Sequence, residues 1–414
     1  MQFKNIINKC FVLSLAAVLL AACGGKDVSD DKDRLARLAR QSVSVDPALR
    51  QRLTGFASAP RVKGQFGFYV YDLTADRPVY GFNERKALPT ASCMKLLSGV
   101  AGLHLLGTGY RYTTELYIRG RVAAGTLLGD VTFKAGLDPQ LNGPDLKVFP
   151  EQLRKRGIRR LKGRLVVDLA LQEPVKSEAH WYPWDLSFSR YGLLFKGSDR
   201  IVKELKASFR AHGVSVADSQ VVVGTMPEGS RCVLRCHRII DPVIKRMWKN
   251  SSNTQATSLL YTIGRRVEPQ AEPAEAGVRY LRKFLREELK QTDTALVVHD
   301  GCGLCVHNQL SPEALTAVLR YGYARPDIYR KLRQHLSVAG VDGTLAREMS
   351  SAKTRGRIYA KTGTLSHPYG ISSLAGYCEG SNGHVLAFCI LDTEMSVLDA
   401  RVLQRRLCEL LVAE

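Results

Sequence analysis

One helix constrains this chain more than any other feature. After Pro89-Thr90, the residues Leu96, Leu97, Val100, Ala101, Leu103, Leu105 and Leu106 leave no broad polar face before Gly107 ends the run. A helix apolar almost all round must be surrounded by other elements, so the fold needs a large core. With 414 residues, 45% of them apolar, the chain can supply one. That length suits two or three domains.

The remaining periodicities arrange elements around that helix. A strand over 67–73, a turn at 74–78 and a return over 79–82 predict a hairpin. From 112 to 238 the pattern changes to short strands, such as 114–118 and 164–169, punctuated by Gly and Pro. Helices are expected over 242–263 and 276–289, strands over 359–361, 371–377 and 384–391, and an amphipathic helix over 397–412. The reading is an α+β chain in which a domain of helices and antiparallel strands, 46–111 and 239–414, is split by an inserted β-rich domain, 112–238.

The N-terminus predicts an address. Lys4 and Lys9 precede an apolar run at 11–20, too short to span a bilayer comfortably, which reads as an export signal over 1–22. It ends in Leu20-Ala21-Ala22-Cys23, which resembles a bacterial lipoprotein box, with Cys23 carrying the lipid and 23–45 forming a polar tether. Gly24 after that cysteine favours the outer membrane, facing the periplasm. Losing the signal takes the formal charge from +21 to +19, still strongly basic. The densest basic run, from Arg154 to Arg164, has no interleaved aromatics, so it reads as a solvated face and not a nucleic-acid surface. Eight cysteines remain after Cys10 and Cys23. The pairs Cys232/Cys236 and Cys302/Cys305 invite a metal reading, but in an exported chain disulfides are the readier use, with connectivity left open.

The chemistry rests on three short motifs. His-Glu-x-x-His, a phosphate-binding glycine loop and Gly-x-Ser-x-Gly are all absent, which disfavours metal hydrolysis and a histidine-based serine triad. Ser-x-x-Lys occurs at Ser29, Ser92 and Ser350; the first falls in the tether and the third in a polar stretch, whereas Ser92 opens the apolar helix. Residues three apart share a helix face, so Lys95 can reach the Ser92 hydroxyl, and burial would make the lysine a neutral base. The helix N-terminus supplies N–H groups for a developing oxyanion. Ser251-Ser252-Asn253 adds a second hydroxyl and a carboxamide. Lys361-Thr362-Gly363-Thr364 adds a cation on a strand where Gly363 lets a substrate backbone approach.

In this order the three motifs resemble those of penicillin-binding proteins. The chain is similar to the class C low-molecular-mass group, the D-Ala-D-Ala carboxypeptidase/endopeptidase family. Supporting phrases are 88–97, 129–141, Asp300-Gly301-Cys302-Gly303-Leu304 and Asp342-Gly343-Thr344-Leu345. The resemblance implies a serine transpeptidase/β-lactamase-like domain, with a five-stranded antiparallel sheet flanked by helices. It implies Ser92 as the acylated nucleophile, Lys95 as its base and Ser251 as a proton relay. Asn253 would hold the substrate amide, and Lys361, Thr362, Gly363 and Thr364 the carboxylate end, with the N–H groups of Ser92 and Thr364 as oxyanion hole. Peptidoglycan stem peptides are the implied substrates and β-lactams the inhibitors, with no metal or other cofactor. The sequence departs from the family at Ser252 and Cys302, where aspartate and serine are usual, and its insertion is shorter, so a third domain is expected to be missing. Two alternatives stay open here: a lipid-anchored wall-binding module without catalysis, and a β-lactamase.

Overall fold

The computed structural model describes residues 44–59, 63–178, 181, 182, 185, 190–366 and 370–413. The signal run, Cys23 and nearly all of the tether lie outside them. Helix α1 (Pro47–Ser58) leads into the hairpin β1 (Gln65–Asp72) and β2 (Arg77–Phe82), followed by α2 (Met94–Leu106). Next come β3 (Arg111–Ala123), β4 (Thr126–Ala135), α3 (Val148–Lys155), β5 (Leu165–Leu169), α4 (Ser198–Ala211), β6 (Val221–Val223) and β7 (Arg231–Ile239). The chain returns through α5 (Asp241–Lys249), α6 (Asn253–Val267), α7 (Pro273–Glu287), α8 (Pro312–Tyr323) and α9 (Pro326–His335). It ends in β8 (Ser337–Val338), β9 (Ile358–Leu365), β10 (Ile371–Glu379), β11 (Val385–Thr393) and α10 (Val397–Leu411).

The first sheet has the order β8-β9-β10-β11-β1-β2 and is antiparallel throughout. It has six strands where five were expected, because the two residues of β8 add an edge. Alternation along its strands divides two cores. Phe66, Phe68, Val70, Phe388 and Ile390 pack with Leu53 of α1 and Leu407 of α10. Tyr71, Tyr377, Cys389 and Leu391 face the opposite core, with Leu97, Leu259 and Leu315. Helices therefore cover both faces, as the α+β reading predicts.

Helix α2 lies inside that second core. Every residue from Met94 to Leu103 is buried, and full burial of each large apolar side chain is worth about 1.5–3 kcal/mol. It approaches its neighbours closely because it carries glycines there. A methyl on Gly99 would come within 2.4 Å of Trp248 on α5, and one on Gly102 within 3.1 Å of Leu259 on α6. The predicted helix over 242–263 is two helices, α5 and α6, broken at 250–252; Ser251 adopts φ +57° at the break.

The second sheet follows the order β6-β5-β4-β3-β7, with Arg160–Leu161 paired alongside β4. It is mixed: β3 pairs antiparallel with β4 and β7, whereas β4, β5 and β6 run parallel. Parallel neighbours require crossovers, supplied by α3 and α4, whose Phe149, Leu153, Ile201, Leu205 and Phe209 are buried. The segment is thus less purely β than its sequence suggested.

Candidate active site

Ser92 sits in a 3-10 turn, Ala91–Cys93, that runs directly into α2, so the serine precedes the α-helix and does not begin it. Ala91 has φ +42°, a conformation that costs a non-glycine residue free energy and recurs at functional turns. Lys95 lies one turn on and is fully buried. Its Nζ is 2.8 Å from Ser92 Oγ, 2.7 Å from Asn253 Oδ1 and in contact with the Cys302 carbonyl. Burial holds the lysine below its ordinary pKa. A neutral amine has two N–H donors and one lone pair. With the carboxamide and the carbonyl taking the two donors, the lone pair is left for the Ser92 hydroxyl.

The break between α5 and α6 presents Ser251 and Asn253 to the same place. Ser252, between them, caps α6 by accepting from Gln255 N, a task serine performs as well as aspartate. Lys361 Nζ donates to Ser251 Oγ at 2.8 Å and to the Thr362 carbonyl. It too is fully buried, and burial together with the nearby Lys95 lowers its pKa to about 7. Thr362 Oγ1 donates to Thr344 Oγ1 at 2.8 Å. Ser92, Ser251, Thr362, Gly363 and Thr364 share one cleft of about 360 Å³. Of the other Ser-x-x-Lys matches, Ser350 and Lys353 are exposed, and Ser29 lies outside the described residues.

Strand β9 provides the cleft's wall. The short β8 pairs only with Tyr359 and Ala360, so among the described strands none covers the edge of Lys361–Leu365. An open edge is a template for an extended peptide. Gly363 also meets a packing demand that its sequence context did not suggest. A methyl there would lie 2.2 Å from Ser373 Oγ, 2.8 Å from Ser92 N and 2.9 Å from Thr90 O. Its missing side chain lets the strand abut the turn that holds Ser92. Cys93 is buried and donates from Sγ to the Lys361 carbonyl at 3.2 Å, tying the same two elements together.

Three contributors were not assigned from sequence: Asp300, Trp181 and Thr344. Asp300 accepts five hydrogen bonds: from the N–H groups of Cys302, Gly303 and Cys305, from Asn308 Nδ2, and from Trp181 Nε1 at 2.8 Å. The loop it folds delivers the Cys302 carbonyl to Lys95. Trp181 comes from the segment between β5 and α4, and nothing in one dimension links it to Asp300. Thr344 was inside a phrase already noted, but only its contact with Thr362 gives it a place. The cysteines do not assemble as expected. All eight described ones are free thiols, Cys302 and Cys305 buried and Cys232 exposed, and no group of three or more metal-binding side chains occurs among the described residues. The basic residues from Arg154 to Arg164 are exposed. Among the described residues no helix is long and apolar enough to cross a membrane.

Comparison with known proteins adds to this geometry. The chain is 20% identical over 406 residues to the D-alanyl-D-alanine carboxypeptidase DacB of Haemophilus influenzae, covering 78% of this chain and 84% of that one. The crystal structure of penicillin binding protein 4 (dacB) from H. influenzae superposes with a TM-score of 0.70 at 19% identity, over 87% of this chain and 98% of that one. The same protein complexed with a β-lactam gives a TM-score of 0.67, at the same identity and coverage. These likenesses establish a shared fold, a transpeptidase-like domain with an additional one. A family model, described as D-Ala-D-Ala carboxypeptidase 3 (S13), matches residues 49–191 and 194–412. Matched over most of its length, the chain belongs to the D-Ala-D-Ala carboxypeptidase 3 (S13) family of serine-type hydrolases.

Proposed function

We propose that Ser92 is the acylated nucleophile of a D-Ala-D-Ala carboxypeptidase/endopeptidase acting on peptidoglycan stem peptides, and that β-lactams inhibit it by acylating the same oxygen. The observation that carries this is the buried Lys95, with Nζ 2.8 Å from Ser92 Oγ and its other two contacts both acceptors. Lys95 takes the serine proton as Oγ attacks the carbonyl of the penultimate D-alanine. The oxyanion forms towards the N–H groups of Ser92 and Thr364. As the carbon–nitrogen bond breaks, the leaving amine receives a proton through Ser251, whose hydroxyl touches Lys361. Water then hydrolyses the ester and frees the stem peptide.

The substrate lies along the open edge of β9, with Asn253 on its amide and Lys361, Thr362 and Thr364 towards the terminal carboxylate. No step uses a metal. The family's place is outside the cytoplasm; the basic start and apolar run before Cys23 support a lipid anchor, facing the periplasm from the outer membrane.

The test is mass spectrometry after exposure to a fluorescent penicillin, with Ser92→Ala in parallel. An adduct on the peptide containing Ser92, absent from the variant, with D-alanine released from a pentapeptide, is the expected outcome. A folded protein giving neither adduct nor product sinks the reading.

A further inference from the structure

The cleft that begins at Ser92 and Ser251 is larger than hydrolysis of a terminal D-alanine requires. It passes Thr362 and Thr364 and ends at Glu348 and Arg401, the latter on α10. Its walls include the groups assigned above to the departing amine and the terminal carboxylate. It therefore receives the leaving side of the scissile bond, an assignment that rests on that reading. At about 360 Å³ it has room for roughly a dozen waters at about 30 Å³ each. A leaving D-alanine has one methyl side chain and a single carboxylate, already held next to the nucleophile. It fills a minor part of the space and presents nothing to the far end.

That far end carries surplus positive charge. Arg401 Nη1 is 3.2 Å from Glu348 Oε1, and Arg405 Nη2 is 3.9 Å from Glu348 Oε2. One carboxylate thus faces two guanidinium groups, leaving the cluster at +1. Arg401 lines the cleft, keeps N–H donors beyond the one Glu348 takes, and is still 42% exposed. A guanidinium fork of this kind suits a second carboxylate. In a cross-linked wall peptide the leaving residue is a D-amino acid centre whose side chain continues into another stem, with further carboxylates. That is the substrate class with both the bulk and the charge to occupy the cleft to its end.

We propose that Arg401 is a specificity-determining residue that binds a carboxylate of the leaving-side peptide of a cross-link, biasing this site towards endopeptidase cleavage. The test compares kcat/KM of the full chain for a cross-linked muropeptide dimer and for a free pentapeptide ending in D-Ala-D-Ala. Arg401→Gln is expected to lower the dimer-to-pentapeptide ratio about tenfold, the effect of losing one charge-assisted hydrogen bond. Arg401→Lys, which keeps the charge, should lose less. Glu348→Gln, which removes the competing carboxylate, should raise the ratio. Arg405→Gln, which leaves Glu348 to Arg401 alone, should lower the ratio by less than Arg401→Gln does. An unchanged ratio in Arg401→Gln, or equal losses on both substrates, overturns the proposal. Penicillin acylation of each variant reports an intact Ser92 site. Absence of acylation in the unmodified chain would instead defeat the underlying reading. If Arg401→Gln does not fold, Glu348→Gln decides, because a ratio that fails to rise there also overturns the proposal.

Discussion

Replacing Gly363 with alanine tests whether β9 and the nucleophile turn form one unit. The added methyl would start 2.2 Å from Ser373 Oγ, and real contacts of this kind rarely fall below 3.0 Å, so about 0.8 Å must be found. Ser373 cannot yield freely, because its hydroxyl donates to the Thr90 carbonyl at 2.7 Å. Losing that bond costs about 1 kcal/mol, and overpacking adds about 1–3 kcal/mol, for a total of about 2–4 kcal/mol. The other two neighbours, Ser92 N and Thr90 O, are backbone and cannot rotate away. The strand and the turn must separate, displacing the donors assigned to the oxyanion, and a misplacement near 1 Å costs about 100-fold in rate. Stopped-flow acylation by a fluorescent penicillin, together with thermal unfolding, separates the two effects. Adding Ser373→Ala should recover part of the stability and little of the rate, since the backbone contacts persist. A Gly363→Ala protein acylated within about threefold of the parent rate would refute the close packing and return Gly363 to a role towards substrate.

Further outcomes follow from the buried groups. Acylation should rise with pH as Lys95 loses its proton and fall above about 7 as Lys361 loses its own, giving a bell in a pH–rate series; a substrate with its terminal carboxylate amidated should lack the descending limb. Burial, and then Asp300 and Glu272, hold the Glu178 carboxyl well above the usual range. The folded protein therefore keeps a proton that the unfolded chain releases, and stability falls as pH rises beyond the ordinary glutamate value. Glu178→Gln should raise the melting temperature at pH 8 and leave it unaltered at pH 4. Trp181→Phe removes the indole bond to Asp300, worth about 1.5–3 kcal/mol when the acceptor is a carboxylate, and unfolding in urea should show the loss.

The sequence disclosed elements wherever one residue pattern decides them. The apolar run of α2 could only be interior, and the strand segments read at 371–377 and 384–391 marked β10 and β11 to within two residues at each end. The three motifs lay close to helix starts or on strands, where local chemistry is readable. Other features depend on partners remote in the chain. The break at Ser251 falls inside what reads as one helical pattern, although Asn250-Ser251-Ser252 carries a helix-start signal: Ser252 caps α6 and Ser251 takes a positive φ. The helix α4 did leave a signal, in the four-residue spacing of Ile201, Leu205 and Phe209, but Gly and Pro around it favoured a strand reading. Gly363 was understood as a gap for substrate, since nothing local says that Ser92 N lies behind it.

Asp300 ties the second sheet's segment to the proposed base. Trp181, held in the segment between β5 and α4, donates to one carboxylate oxygen, while the other takes the N–H groups of Cys302 and Gly303. The same loop sends the Cys302 carbonyl to Lys95, and Gly303 presses on the strained Ala91, where a methyl would meet the carbonyl at 1.9 Å. Three hydrogen bonds thus link the indole to the proposed base, and one glycine contact separates the loop from the residue before Ser92. Only backbone atoms of Cys302 enter this relay, so it does not depend on the thiol. It follows that Cys302→Ser should leave acylation by penicillin within about threefold of the parent, whereas Trp181→Phe should slow it, because rotation of the loop moves the acceptor that keeps the lysine lone pair on Ser92. If the serine variant were the slower of the two, the relay would run through the side chain, and Asp300 would be a structural support for the loop alone.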